Sequence, residues 1–222
     1  MILADKLVII RESIEKARVS SPIASRDTTL LAASKTQPAS IIEEAIAAGI
    51  DCFGENRVQE AQEKWAGLKE KHKNIKLHLI GQLQTNKVKQ ALELFDVIQT
   101  LDREGLADSI ARVRDSGFRI QEKQFYMQVN TGKEPQKAGV FPENADEFIA
   151  YCRKLNLPVV GFMCVPPVDQ PSAPHFALLR EIALRNNLSK LSMGMSDDFE
   201  VAVRMGSTCV RLGTALFGER KP

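Results

Sequence analysis

Several features are scarce in this sequence, and each scarcity closes off a class of protein. No apolar run approaches the roughly 20 residues that a membrane-crossing helix needs. The opening segment, Met1-Ile2-Leu3-Ala4-Asp5-Lys6-Leu7, has charges inside its apolar stretch, so a signal peptide is not expected there. The four cysteines, Cys52, Cys152, Cys164 and Cys209, show no CxxC spacing. Three of them fall in strand-like runs, where a buried reduced thiol is the ordinary state. The three histidines, His72, His78 and His175, are scattered and form no metal-ligand pattern. Charge of neither sign dominates: 30 Lys and Arg against 28 Asp and Glu leave a net +2. No field of that size draws the chain to nucleic acid or to a membrane surface. No Pro/Gly/Ser-rich linker or low-complexity tract divides the sequence, so residues 1–222 are expected to form a single domain. A cytoplasmic protein without disulfides or a structural metal is the simplest expectation.

What is present is a regular alternation. Leu3, Leu7, Ile10, Ile14 and Ala17 recur three and four residues apart and predict a leading amphipathic helix. A short apolar run, residues 30–33, then predicts a first strand, which Pro38 keeps from extending. Further strands are predicted at 51–54, 75–80, 96–100, 125–130, 159–165, 190–192 and 209–212. Helical patterns lie between them at 39–48, 58–71, 86–94, 103–116, 144–155, 173–186 and 197–205. Gly49 and Gly117 are placed to stop two of these helices. Strict alternation implies a parallel sheet. Eight repeats imply a closed (β/α)8 TIM barrel with an extra N-terminal helix, although an open doubly wound sheet carries the same periodicity. The loop at 131–140 is long and rich in Lys, Gly and Pro, which predicts a mobile or functional lid.

Two constellations carry chemistry. Lys35 falls where the first strand gives way to loop, and ligands of α/β folds gather at that carboxyl end. A lysine with apolar neighbours behind it is suited to form a Schiff base, although a solvated strand cap has the same sequence. The second constellation is the pair Leu191-Ser192-Met193-Gly194-Met195-Ser196 and Arg211-Leu212-Gly213-Thr214. Small hydroxyl and glycine residues at helix starts, in the loops after strands seven and eight, fit an anion cradle. In a closed barrel, strands one and eight adjoin. A Schiff-base lysine beside a phosphate site suits pyridoxal 5′-phosphate, and equally a sugar-phosphate aldolase.

These residues carry a resemblance to a known family. Ser34-Lys35-Thr36, the run Phe53 to Glu60, the run His78 to Lys87, and the two loops just quoted resemble the YggS/PROSC family of pyridoxal phosphate homeostasis proteins. The resemblance covers about residues 30–220. Thr85, where serine is usual, and Gln37, where a basic residue is frequent, depart from the pattern. The resemblance implies a barrel similar to the N-terminal domain of alanine racemase. It implies pyridoxal 5′-phosphate held as an imine on Lys35, with Asn56, Ser192, Met195, Ser196, Arg211, Gly213 and Thr214 as further cofactor-binding residues. Within that set, Ser196, Gly213 and Thr214 would hold the phosphate, and Arg211 would lie near the ring nitrogen or the phosphate. The implied role is keeping the cofactor available for vitamin B6 and amino-acid homeostasis without established turnover, with pyridoxal-phosphate-dependent apo-enzymes as possible partners.

A racemase-like enzyme is the alternative. It needs a second acid/base, and the sequence has only Tyr126 and Tyr151 to offer as tyrosines. Tyr151 lies in a helical pattern, and Tyr126 on a core strand is placed either to pack or to enter the barrel. Glu55, Arg57, Gln59 and Glu60 read as capping and solvated charge. Lys87 and Lys89 read as surface residues. Lys133 and Lys137 sit in the long loop, placed to close over a site.

Overall fold

The structure, a computed structural model, describes residues 2–219. It opens with α1 (Leu3–Val19), which buries the five periodic positions along one face. Eight strands follow: β1 (Thr29–Ala33), β2 (Cys52–Glu55), β3 (Lys76–Leu79), β4 (Val97–Leu101), β5 (Gln124–Val129), β6 (Val159–Cys164), β7 (Lys190–Ser192) and β8 (Cys209–Leu212). Between them run α2 (Ala39–Ala47), α3 (Val58–Lys71), α4 (Val88–Leu94), α5 (Glu104–Asp115), α6 (Ala145–Lys154), α7 (Ser172–Arg185) and α8 (Phe199–Arg204); α9 (Thr214–Phe217) follows the last strand. All neighbouring strands are parallel, and β8 returns to β1 along a ladder from Thr29–Cys209 to Ala32–Leu212. The sheet therefore closes into an eight-stranded barrel.

Both faces of the strands are buried, which explains their nearly continuous apolar sequences. The outward side chains, among them Phe53, Leu77, Phe125, Phe162 and Val210, join the helices in the main core. Inward side chains form two smaller clusters, one of Leu31, Cys52 and Cys209, the other of Val97, Tyr126 and Met163. Gly54 points inward and leaves the barrel axis to its neighbours. A Cβ there would stand 2.4 Å from Leu31 Cδ2 and 3.0 Å from Ile80 Cδ1.

Two details differ from the sequence expectation. The closing segment holds α9, whose four residues are too few to show a helical period. The loop at 131–140 is tied down rather than loose. Asn130 donates from its side chain to the carbonyls of Glu134 (2.8 Å) and Lys137 (3.2 Å) and accepts from the Glu134 N–H (3.1 Å). Val140 returns to donate to the Gln128 carbonyl at 2.9 Å. Lys133 and Lys137 pair with Glu143 and Glu134. One carboxamide thus satisfies a loop whose composition alone suggested mobility.

Candidate functional site

At the carboxyl end of the barrel, a cavity of about 370 Å³ is walled by Lys35, Asn56, Met195, Ser196, Arg211, Gly213 and Thr214. Seven residues singled out in the sequence therefore meet in one space, with Ala33, Ile80, Val165 and Phe217 as its apolar wall. The eighth, Ser192, lies fully buried beneath the cavity and does not line it. Its hydroxyl instead touches Arg211 from below, at 2.7 Å from Nη1.

The segment carrying Lys35 is anchored on both sides. Ser34 is fully buried and its hydroxyl donates to Glu55 Oε1 at 2.7 Å. Glu55 points outward from β2 towards α3, where Lys64 Nζ meets both its oxygens at 3.0 and 3.2 Å and Trp65 Nε1 donates at 3.0 Å. On the other side, the Thr36 N–H donates to Glu60 Oε1 at 2.9 Å. Glu60 also accepts from Lys64, at 3.0 Å. Thr36 has φ +65°, a left-handed backbone that a β-branched residue adopts only when held. The bond to Glu60 holds it together with the turn's own bond from the Gln37 N–H to the Ser34 carbonyl, at 3.0 Å. The reading of Glu55 and Glu60 as solvated caps is thereby corrected: Glu55 is fully buried and both carboxylates brace the lysine-bearing turn. Lys64 and Trp65 went unnoticed in the sequence. Their one signal was the i,i+4 pairing of Glu60 with Lys64 on a charged helix.

Arg211 forms the floor. It is 5% exposed, and its Nη1 and Nη2 donate to the Ser192 hydroxyl and to the Cys164 carbonyl, at 2.7 and 2.8 Å. Both partners are neutral oxygens. Burial lowers its pKa from the ordinary arginine value, and the nearby Cys209, Cys164 and Asp198 counter that only in part. A buried cation held by neutral groups is expensive unless something anionic or strongly accepting completes it. Arg211 also lines the cavity, where such a partner has room to stand.

The loops after β7 and β8 are joined. Gly194 has φ +95°, and a Cβ there would lie 2.5 Å from the Cβ of Ala202, so only glycine fits. Its carbonyl accepts from the Arg211 N–H at 3.0 Å. The Met195 N–H is committed to Asp198 Oδ1 at 2.7 Å. Ser196 Oγ accepts from the Ala215 N–H at 3.0 Å, which binds one loop to the start of α9. The main-chain N–H groups of Ser196, Gly213 and Thr214 have no acceptor among the described residues. With the Thr214 hydroxyl they make a concave row of donors suited to a phosphate.

A second cavity, of about 310 Å³, lies at the opposite, amino-terminal end of the strands and is lined in part by Cys52, His78, Tyr126 and Cys209. Tyr126 does enter the barrel, but at this far end. Burial raises its pKa above that of an ordinary phenol. Tyr151 donates to Asp108 Oδ1 at 2.5 Å on the outside. All four cysteines are free and buried, and burial pushes the Cys152 and Cys164 thiols up to about 12. Among the described residues, no group of three or more metal-ligating side chains gathers, and no helix is long and apolar enough to cross a membrane.

Comparisons with known proteins bear on the family and the fold. Residues 15–221 match the family described as alanine racemase, N-terminal domain. A pyridoxal phosphate homeostasis protein of Aquifex aeolicus is 42% identical, over 98% of each chain. One of Escherichia coli K12 is 36% identical, over 98% of this chain and 97% of the other. Among solved structures, PipY of Synechococcus elongatus with pyridoxal phosphate bound superposes with a TM-score of 0.81 at 32% identity, covering 98% of this chain and all of PipY. Alanine racemase of Acinetobacter baumannii, 14% identical with a TM-score of 0.72, shares the fold, and this chain covers 61% of it.

Proposed function

The chain belongs to the family of pyridoxal phosphate homeostasis proteins, and from that premise we propose that it binds pyridoxal 5′-phosphate in the cavity at the carboxyl end of the barrel. The observation that carries the reading is Arg211, a buried cation with neutral partners, at the floor of a cavity that also holds Lys35. In this reading Lys35 would hold the cofactor, its amine being the group that would form an imine with the aldehyde and release water. The donor row of Ser196, Gly213 and Thr214 takes the phosphate. Asn56 and Met195 line the pocket, and Ser192 contributes through Arg211. When bound, the cofactor supplies an electron sink for carbanion chemistry. Arg211 donates N–H groups and cannot accept a proton. Facing the ring nitrogen it would disfavour the protonated ring and weaken that sink.

The same arrangement supports holding over turnover. Racemisation needs acid/base groups on both faces of the cofactor ring, and the one tyrosine that enters the barrel lines the cavity at the other end. The role proposed is therefore a carrier in the cytoplasm that keeps pyridoxal phosphate and amino-acid levels balanced. Exchange of the imine with another amine would pass the cofactor to apo-enzymes. The aldolase chemistry that the sequence also admitted has no counterpart among the relatives named above. Purified protein mixed with pyridoxal phosphate should turn yellow, and borohydride should bleach it. Mass spectrometry should then find the reduced adduct on Lys35. A colourless protein with no adduct would overturn the proposal.

A further inference from the structure

Behind Ser192 the barrel interior holds further polar side chains, His78 and Gln99, to which the reading above gives no part. His78, Gln99 and Ser192 are buried on three different strands or strand ends and stand in line beneath Arg211. Gln99 Nε2 lies 2.8 Å from His78 Nδ1. The Ser192 hydroxyl donates to Gln99 Oε1 at 2.6 Å, and Arg211 Nη1 donates to the Ser192 oxygen at 2.7 Å. At the far end, His78 Nε2 lies 3.5 Å from Cys52 Sγ.

The chemistry of each group fixes the direction of the whole line. Arginine only donates, so the Ser192 oxygen accepts and its own proton must go to Gln99. Gln99 Oε1 is thereby the acceptor, and its amide nitrogen faces His78. That nitrogen donates, so His78 Nδ1 carries a lone pair and its proton sits on Nε2, towards Cys52. Burial acts in the same sense, since it keeps His78 neutral. Every proton has one place, and no member can turn without leaving a buried polar group unmet.

We propose that Gln99 is a positioning residue for Arg211: held by His78 and acting through Ser192, it fixes the guanidinium at the cavity floor so that its remaining N–H groups meet the ligand. The Cys164 carbonyl holds Nη2 and Ser192 holds Nη1, so the guanidinium plane is set from two sides. Only the Ser192 side leads on to a chain of further groups. This inference rests on the proposed binding of pyridoxal phosphate above Arg211. A line that ended in a freely rotating hydroxyl would let Arg211 sample several orientations and would blunt its discrimination.

Four variants test it: Gln99→Met, which keeps length but removes both polar atoms, Ser192→Ala, Ser192→Thr, and Cys209→Ala. Cys209 accepts the remaining N–H of Gln99 in a long bond to sulfur, 3.9 Å from Nε2, but does not stand between Gln99 and Arg211. Each is titrated with pyridoxal phosphate while the absorption band of the bound cofactor is followed, and its melting is measured without ligand. Borohydride trapping on Lys35 of the unaltered protein is the separate check on the cofactor reading; if it fails, that reading falls, whatever the variants do. Gln99→Met and Ser192→Ala are expected to weaken affinity about tenfold, as one charge-assisted bond between a misplaced Arg211 and the ligand is lost, and to move the band to the same new position. Ser192→Thr should restore both. Cys209→Ala should lower the melting temperature without moving the band. A folded Gln99→Met protein with the original affinity and band would overturn the proposal, as would a Cys209→Ala protein whose band moves equally. Should Gln99→Met not fold, the Ser192 pair decides: a common band and affinity in Ser192→Ala and Ser192→Thr would overturn it.

Discussion

The hydroxyl of Ser34 lies 2.7 Å from Oε1 of Glu55, so the residue just before Lys35 is bonded to a carboxylate on the adjacent strand. That carboxylate is fully buried and meets Lys64 and Trp65 of α3 as well. The backbone that presents Lys35 is thus set by the helix packed outside the barrel.

Removing that carboxylate should be costly. In Glu55→Gln, Lys64 keeps only the half-buried Glu60 as its ionic partner, and its side chain is 10% exposed. Breaking a buried pair from one side costs about 3–5 kcal/mol, and the lower end is expected here because Glu60 remains. Urea denaturation at neutral pH measures it, and a loss below about 1 kcal/mol, as for a surface pair, would show that Glu55 is not the brace described.

Lys35→Ala should separate stability from binding. Its side chain lines the cavity and only partly enters the protein, so the unfolding free energy should move by no more than about 0.5 kcal/mol. The borohydride-reducible adduct should vanish. If most of the adduct on the unaltered protein is found on another lysine, the assignment of Lys35 is wrong.

The phosphate cradle predicts a selective loss. In the double variant Ser196→Ala with Thr214→Ala, pyridoxal phosphate should bind at least about tenfold more weakly, from charge-assisted hydrogen bonds worth roughly 1.5–3 kcal/mol each. Pyridoxal, which lacks the phosphate, should be much less affected. Equal weakening of the two ligands, compared by fluorescence titration, would place the phosphate elsewhere.

His78 predicts the response to acid. Burial lowers its pKa from 6.5 to about 4, with Asp96 raising it and Lys76 lowering it by smaller amounts. Between those values the unfolded chain holds a proton that the folded one refuses, so stability falls as pH drops from 6.5 towards 4 and is fully present above 6.5. The loss attributable to this residue is on the order of 3 kcal/mol. Unfolding free energies of the unaltered protein and of His78→Asn, measured at pH 7.5 and at about pH 5, should show a clearly smaller pH dependence in the variant. Parallel losses in the two proteins would assign the acid sensitivity to other groups.

The holding role predicts slow chemistry. With L-alanine in deuterated water, the loaded protein should exchange the α-proton far more slowly than the roughly 1 per second of an ordinary enzyme. Added amines should nevertheless displace the cofactor. Proton NMR follows the first and absorbance the second. Fast exchange that Tyr126→Phe abolishes would make this a racemase-like enzyme.

Local patterns of the sequence were enough for the leading helix, the eight strand–helix repeats, the position of Lys35 at a strand end, and the two small-residue loops after β7 and β8. Each depends on residues within a few positions of one another. Closure was beyond the sequence, because it rests on the β1–β8 ladder between residues some 180 positions apart, and an open sheet has the same local periodicity. The burial of Glu55 and the line from His78 to Arg211 were hidden for a related reason. When both faces of a strand are buried, alternation no longer marks which side is wet, so a polar residue on a strand gives no sign of where it points. Only the curvature of the closed sheet sends Gln99 inward to Ser192, sends Glu55 outward to α3, and sets Tyr126 at the opposite end of the barrel from Lys35.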